Sequence, residues 1–387
     1  MNSNSRQKRS LQFLFVVTFL CQTIIGVVSI TIPIYANILG ASPLIVGLIG
    51  STGGLIYSFV PFISGALCDR FGKKRFVAAA MILYGSACLL YVLVKEPYLL
   101  AFVKILEWSA IALFWPAVEA LIAEFGGPKL EEALRKFNIS WGSAMIVGPT
   151  IGGALISAWN VRAPLLFSLF ISLSFGLLSL VLIREPDKTK IFNEKPTDDP
   201  KNDVHNRYPI MAVVASIFLL SSIISIILAL FPSYAIDLDI PPFEIGLITL
   251  AFGVARTVTF FQANKVEEKI GKPSMFLLGS AFLGIASLST FNVSTAFHFG
   301  LCFLLFGFGT GLSYAASLAF ILRRWGSTKG HAAGIFESLI GLGYFSGPLI
   351  GGFVSEYAPN APYLYGAALS LIVFLIHLIS KHAVSTN

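Results

Sequence analysis

The chain has 387 residues, of which 56% are hydrophobic and 12% charged, with a mean hydropathy of +0.80 and a formal net charge of +7. A soluble globular domain carries roughly a quarter charged residues, so these values exclude that class and place the chain in a bilayer. The excess positive charge lies in loops, where it reads as membrane topology and contact with anionic lipid, not as nucleic-acid binding.

Twelve apolar runs are long enough to cross about 30 Å of hydrocarbon as helices. In the first half they cover 11 to 35, 44 to 67, 76 to 94, 98 to 124, 137 to 159 and 164 to 183. In the second half they cover 209 to 235, 243 to 263, 274 to 293, 296 to 322, 332 to 357 and 362 to 380. They are apolar on every face, which argues against the alternating strands of a membrane barrel. The first run follows Arg6, Lys8 and Arg9 but is too long for a signal-peptide core and lacks a small-residue cleavage site, so it stays as a span. Between the sixth and seventh spans, Arg184 to Arg207 holds the long polar stretch, including Asp187, Glu194, Pro196 and Asp203, which suits a flexible linker. The expected division is a six-span bundle over 1–183, a linker over 184–208 and a second six-span bundle over 209–387. Of the 27 Lys and Arg, 23 fall in the termini and in alternate loops on one side. The positive-inside rule then puts both termini in the cytoplasm, which requires an even number of spans.

Shifting the chain by 199 residues superposes Pro33 on Pro232, Tyr35 on Tyr234, Gly47 on Gly246 and Gly72-Lys73 on Gly271-Lys272 without a gap. Further along, Gly142 meets Gly341, and Gly148, Pro149, Gly152 and Gly153 meet Gly347, Pro348, Gly351 and Gly352. Glycine and proline dominate the matches, so the duplicated unit has kept its backbone geometry: kinks, turns and close helix approaches.

Cys21, Cys68, Cys88 and Cys302 lie in or at the ends of spans without metal or redox spacing, and the five histidines are scattered. No HExxH, GxSxG or phosphate-cradling Gly-Lys-Ser/Thr motif is present. The expectation is a protein that is no enzyme and needs no metal, nucleotide or other cofactor.

Between spans two and three the chain reads Gly65-Ala-Leu-Cys-Asp-Arg-Phe-Gly-Lys-Lys-Arg75. This loop resembles the signature loop of the major facilitator superfamily, G-x-L-x-D-R-x-G-R/K-K, with Gly65, Leu67, Asp69, Arg70, Gly72, Lys73 and Lys74 at the matching positions. The second half carries a worn copy, Asn264 to Lys272, with Glu268 in place of the Asp. The resemblance covers essentially the whole chain. It implies an all-α integral membrane fold of twelve transmembrane helices in two pseudo-symmetric six-helix bundles, and a signature loop that latches the halves when the cavity opens outward. Span five contains Gly148-Pro149-Thr-Ile-Gly152-Gly153, similar to the G-x-x-x-G-P-x-x-G-G stretch of the drug/proton antiporter branches, with Ala144 at the first glycine. Gly343 to Gly352 repeats the pattern in span eleven. Close helix packing alone would also account for such a stretch.

Span four carries Lys104, Glu107 and Glu119 within about one third of its helical surface, a stripe too costly to face lipid. Lys104 and Glu107 are spaced to pair at i to i+3. Two readings stay open: Glu107 exchanges a proton under the influence of Lys104, or the pair is static and orients the helix. Glu119 is a second proton candidate or a cavity-mouth residue. Arg256 in span eight and Glu337 in span eleven are candidate gate contacts, or side chains that snorkel to the surface.

By resemblance, spans one, four, seven and ten line the cavity and offer Gln22, Trp115, Ser221, Ser225, Tyr234, Phe306, Tyr314 and Ser317, a lining suited to aromatic or amphipathic ligands. The reading is a secondary transporter of the plasma membrane that works as a monomer, exchanging protons for small amphipathic or drug-like molecules in multidrug efflux. Its rivals are an uptake symporter or facilitator for a sugar, metabolite or organic anion, and a membrane sensor that transports nothing.

Overall fold

A computed structural model describes residues 3–126, 130–184, 208–324 and 329–385, which form twelve α-helices and, among the described residues, no strand. The first half contributes α1 (Ser3–Ile38), α2 (Pro43–Phe71), α3 (Lys73–Leu93), α4 (Leu99–Gly126), α5 (Leu130–Ala158) and α6 (Ala163–Leu182). The second contributes α7 (Ile210–Ala229), α8 (Phe231–Asp237), α9 (Pro242–Phe291), α10 (Ala296–Arg324), α11 (Lys329–Ser355) and α12 (Ala361–Ser385). Most of the predicted linker, residues 185–207, lies outside the described residues.

The helix count and the span count agree through two local events. Span seven is broken into α7 and α8 at Leu230, just before Pro232, whose ring cannot donate to the preceding turn and clashes with its carbonyl. Its counterpart Pro33 is accommodated inside an unbroken α1. Conversely, spans eight and nine run together as α9, with Gly271 at φ 73° and ψ 160° marking a non-helical kink between two arms. Gly72, its repeat partner, separates α2 from α3 at φ 99° and ψ 123°. Only glycine occupies such conformations without strain. The repeat also explains Asp239, which has positive φ at the position matching Gly40. The turn bonds match as well: Ala41 N to Ala36 O in one half and Ile240 N to Ala235 O in the other.

Within the first half α1 packs on α5 and α6, α3 on α4 and α6, and α2 on α4; within the second, α9 packs on α10 and α12, and α11 on α7. The halves meet along two seams, α2 with α11 and the first arm of α9 with α5. Large apolar side chains such as Phe59, Phe102, Phe170, Phe261 and Ile379 are exposed on the outside of the bundle, as lipid contact requires.

The face of the bundle bearing Arg70 and Lys73 is termed the basic face here. At the opposite face the halves are closed. Asn37 Nδ2 donates to Asp237 Oδ1 at 2.7 Å and to Ser233 Oγ at 3.1 Å. The N-terminus of α2 is capped from the other half by Glu356, which accepts from Leu44 N at 2.9 Å, and the N-terminus of α9 is capped likewise by Ser157, which accepts from Phe243 N at 3.1 Å. These two caps are the same bond seen twice, since both donor and acceptor positions differ by the repeat offset.

The Leu44 amide bonded to Glu356 and the neighbouring Ser42 hydroxyl favour its ionised form and hold its carboxyl below the usual value. A lowered carboxyl contributes to closure above the ordinary carboxylate range and loses that contribution as pH falls through its own lower value. Closure at this face is therefore expected to be insensitive to pH near neutrality and to weaken only in acid, below the ordinary carboxylate range. A pH titration of a distance between labels on this face checks it, and Glu356→Gln should remove the acid step.

The glycines of the two seams explain how closely the halves approach. A Cβ on Gly153 would overlap the Pro242 carbonyl, and one on Gly352 would stand 2.8 Å from Gly47 Cα and 2.9 Å from the Pro43 carbonyl oxygen. On their other side the same helices press on their own half: a Cβ on Gly148 would lie 2.6 Å from Thr23 O, one on Gly152 2.9 Å from Val27 O, one on Gly351 2.6 Å from Leu230 Cδ1, and one on Gly347 2.5 Å from Ser222 O. Each helix with the Gly-Pro motif is thus wedged between a partner in its own half and one in the other half. Nearer the basic face the seams differ. A Cβ on Gly341 would still be 2.6 Å from Ser58 N, whereas one on Gly142 would find its nearest neighbour, Thr257, at 3.9 Å. At this level the α5–α9 seam is therefore packed less tightly than α2–α11.

Candidate functional site

Lys104 and Glu107 are buried together at the α3–α4 contact. Lys104 Nζ lies 2.9 Å from Glu107 Oε2 and 3.1 Å from Oε1, and Tyr91 of α3 donates its hydroxyl to Oε2 at 2.7 Å. Glu107 is 2% exposed and Lys104 7%. This closed network inside the first half has the geometry of the static pair. Removing one partner of such a pair leaves an uncompensated charge, so Glu107→Gln is expected to cost about 3–5 kcal/mol of stability. The double variant Lys104→Met/Glu107→Gln should recover most of that loss. Thermal unfolding in detergent tests this; a single variant as stable as the parent would show that the pair does not hold the helices.

Glu119 is in a different setting. Its side chain is exposed, yet it is surrounded by Glu337 of α11, Tyr57 of α2 and Tyr314 of α10, all within electrostatic range. Exposure amid such neighbours means that it lines a cleft inside the bundle. The Tyr57 hydroxyl faces the Glu337 carboxyl group across the halves. Trp108 stands beside them with ring centroids 5.5 Å from Tyr57 and 5.7 Å from Tyr344, so it ties α4 to α2 and α11. Its Nε1 has no hydrogen-bond partner.

Arg256 does not snorkel. It is buried, with its guanidinium carbon 5.9 Å from the Phe252 ring centre, 5.3 Å from that of Phe260 and 5.4 Å from that of Tyr314. Phe260 also meets Trp141 of α5 at 6.1 Å, closing the ring of aromatic side chains from the other seam.

The other predicted lining residues are distributed as follows. Gln22 and Trp115 are half-buried, Trp115 packing edge-on against Phe114 and Phe137. Ser221 spends its hydroxyl on the Ile217 carbonyl, and Ser225 bonds Ser222 O and Gly343 O, fastening α7 to α11. Phe306 is buried against Phe303, and Ser317 is buried without a hydrogen-bond partner. Tyr234 stands at the opposite face against Phe299 and Tyr363, beside a shallow recess with Pro43 and Leu230. No motif in the sequence marks Tyr57, Trp141, Phe260 or Tyr344.

In the signature loop, Lys73 pairs with Glu124 of α4 at 2.6 Å, a bond within the first half, and Arg70 stacks over Phe71 at 5.4 Å. Lys272, the repeat partner of Lys73, pairs with Glu267 at 3.3 Å. The side chain of Asp69 and the surroundings of Gly65 lie outside the described residues.

Two pseudo-symmetric bundles of spanning helices, closed at one face around a cleft that holds charged and aromatic groups from both halves, define a multi-pass membrane transporter. The chain belongs to the Major Facilitator Superfamily, whose pattern matches residues 14–238 and again 213–385. It is 25% identical over 384 residues to an uncharacterized MFS-type transporter of Methanocaldococcus jannaschii, covering 95% of this chain and 97% of that one. It is 22% identical over 361 residues to Multidrug resistance protein 2 of Bacillus subtilis, covering 90% and 89%. Its fold superposes on the crystal structure of a point mutant of the nucleoside transporter NupG with a TM-score of 0.81 at 14% identity, over 96% of this chain and 99% of that one. The chain is accordingly a transporter of small molecules and no enzyme, as expected from its residues.

Proposed function

We propose that this transporter exports small amphipathic molecules from the cytoplasm in exchange for protons, as a monomer in the plasma membrane with both termini cytoplasmic. In this reading residues 1–183 and 209–387 are the moving halves, residues 184–208 their tether, and the basic face the cytoplasmic one. The structure is then the inward-accessible state. The observation that carries the coupling is that Glu119 and Glu337 come from opposite halves and lie within electrostatic range of each other. When both are ionised they repel, which opposes closing the cleft from the basic face; a proton on either, or a substrate bound between them, removes that opposition, so the empty carrier does not reorient. Motion of the halves and occupancy by protons are thus linked through one pair of groups, with Tyr57, Tyr314 and Tyr344 as their immediate surroundings. The Gly-Pro motifs of α5 and α11 support the antiporter direction, as does likeness to a relative named as a multidrug resistance protein.

The test is transport by purified protein in liposomes loaded with a panel of amphipathic dyes, with a proton gradient and then a sodium gradient imposed on the same preparation. Dye movement against its gradient driven by protons, with proton release on adding dye to acidified inside-out vesicles, is the expected result. Sodium-driven movement, or uptake in the direction of the protons, would replace the proposal with a symporter.

A further inference from the structure

Arg256 lies midway along the first arm of α9 and is 6% exposed. Its Nε has no hydrogen-bond partner, and among the described residues no carboxylate forms an ion pair with it. A guanidinium stays charged in any protein environment, so this is a permanent, nearly dehydrated cation. The three aromatic rings around it recover part of the lost hydration but leave its Nε–H without an acceptor. Lys104 shows how the same protein treats a structural cation at similar burial: its ammonium is bonded to both oxygens of Glu107.

The position is open to other solutions. At the matching place in the first half the chain carries Tyr57, a neutral side chain that packs on Trp108. The fold therefore does not require a cation here. Tyr314 and Tyr344 lie within electrostatic range of both Arg256 and Glu337, so the guanidinium borders the same cleft as the carboxyl groups, separated from them by tyrosine rings.

We propose that Arg256 is an anion-binding element of the cleft, so that the transported molecule carries a carboxylate or sulfonate on an aromatic or apolar body. The planar guanidinium presents paired donors to such an acid group, while Phe260 and Tyr314 hold the body beside it. This rests on the transport reading above, but it concerns binding, which is measured without flux.

The experiment uses the full chain in phosphatidylcholine nanodiscs and two probes that share a ring system: 8-anilinonaphthalene-1-sulfonate and the neutral N-phenyl-1-naphthylamine. Binding is measured by equilibrium dialysis against empty nanodiscs. The parent protein is expected to bind the sulfonate about tenfold more tightly than the neutral amine. In Arg256→Gln that ratio should fall to near one with the amine unaffected, and Arg256→Lys should retain part of it. Arg256→Met, which removes an unpaired charge, should unfold at a higher temperature than the parent without ligand; a structural role requires the reverse. A parent without saturable sulfonate preference, or an Arg256→Gln protein that keeps it, overturns the proposal. Sulfonate binding with no proton-driven flux would sink the transport reading and leave the anion site standing.

Discussion

Replacing Glu337 with glutamine is expected to abolish proton-driven uphill accumulation while sparing exchange of labelled for unlabelled substrate across liposomes. The argument starts from charge. Two like unit charges about 4 Å apart repel by roughly 1 kcal/mol in water and roughly 4 kcal/mol at an effective dielectric constant of about 20, so an ionised carboxylate pair weighs on the order of one to three decades against the closed cleft. In the parent protein that term is present or absent according to whether a proton is bound. In Glu337→Gln it is permanently absent, so the halves close with or without a proton, and the gradient has nothing to act on. Exchange requires only that the loaded protein reorient, and it survives. Glu119→Gln should give the same phenotype, and the double variant should add little, because both singles remove one shared interaction. Glu107→Gln should differ in kind: its loss is in stability, and what protein remains should still couple. Uphill transport by Glu337→Gln at the parental proton stoichiometry would remove this pair from the coupling role.

Much of this architecture is legible in the residues because the repeat acts as an internal alignment. The matched glycines at 72 and 271 predict shared backbone geometry, and the structure places both at positive φ between spans. The matched seam glycines predict close approaches, and both seams have them. What the pattern could not give is which side of a helix faces the cleft. Lys104, Glu107 and Glu119 share one third of α4, yet Glu107 turns to Tyr91 of α3 and Glu119 to Glu337 of α11. The choice depends on neighbours far away in sequence. The same holds for Arg256, whose rings include Tyr314 of another helix. A short polar side chain in a spanning helix also misleads, because Ser221 can bond the carbonyl four residues back and leave nothing to offer a ligand. The signal that would have found the cleft is departure from the repeat: Arg256 where the first half has Tyr57, and Glu337 where it has Asn138.

Gly352→Val is expected to open the face opposite the basic one and to reduce transport to near background. In the parent, α11 approaches α2 until Gly352 and Gly47 touch backbone to backbone, and a side chain at 352 meets Gly47 Cα and the Pro43 carbonyl, neither of which can rotate away. Overpacking of this kind costs typically 1–3 kcal/mol, and here the strain can be relieved by separating the halves. Association of membrane helices rests on close packing, with no hydrophobic term to press the helices back together. The closed state is therefore expected to lose roughly ten- to hundredfold in population against the open one. Gly153→Val should act the same way at the α5–α9 seam, against Pro242, whereas Gly300→Val, which meets no neighbour within 4 Å, should be silent. Spin labels at Lys95→Cys and Ser294→Cys, exposed and related by the repeat, report the separation on this face in a background without native cysteines. The parent should give one short distance and Gly352→Val a longer one, with transport falling in step. An unchanged distance in a folded but inactive variant would mean that the glycines serve packing within each half and that closure of this face is held elsewhere.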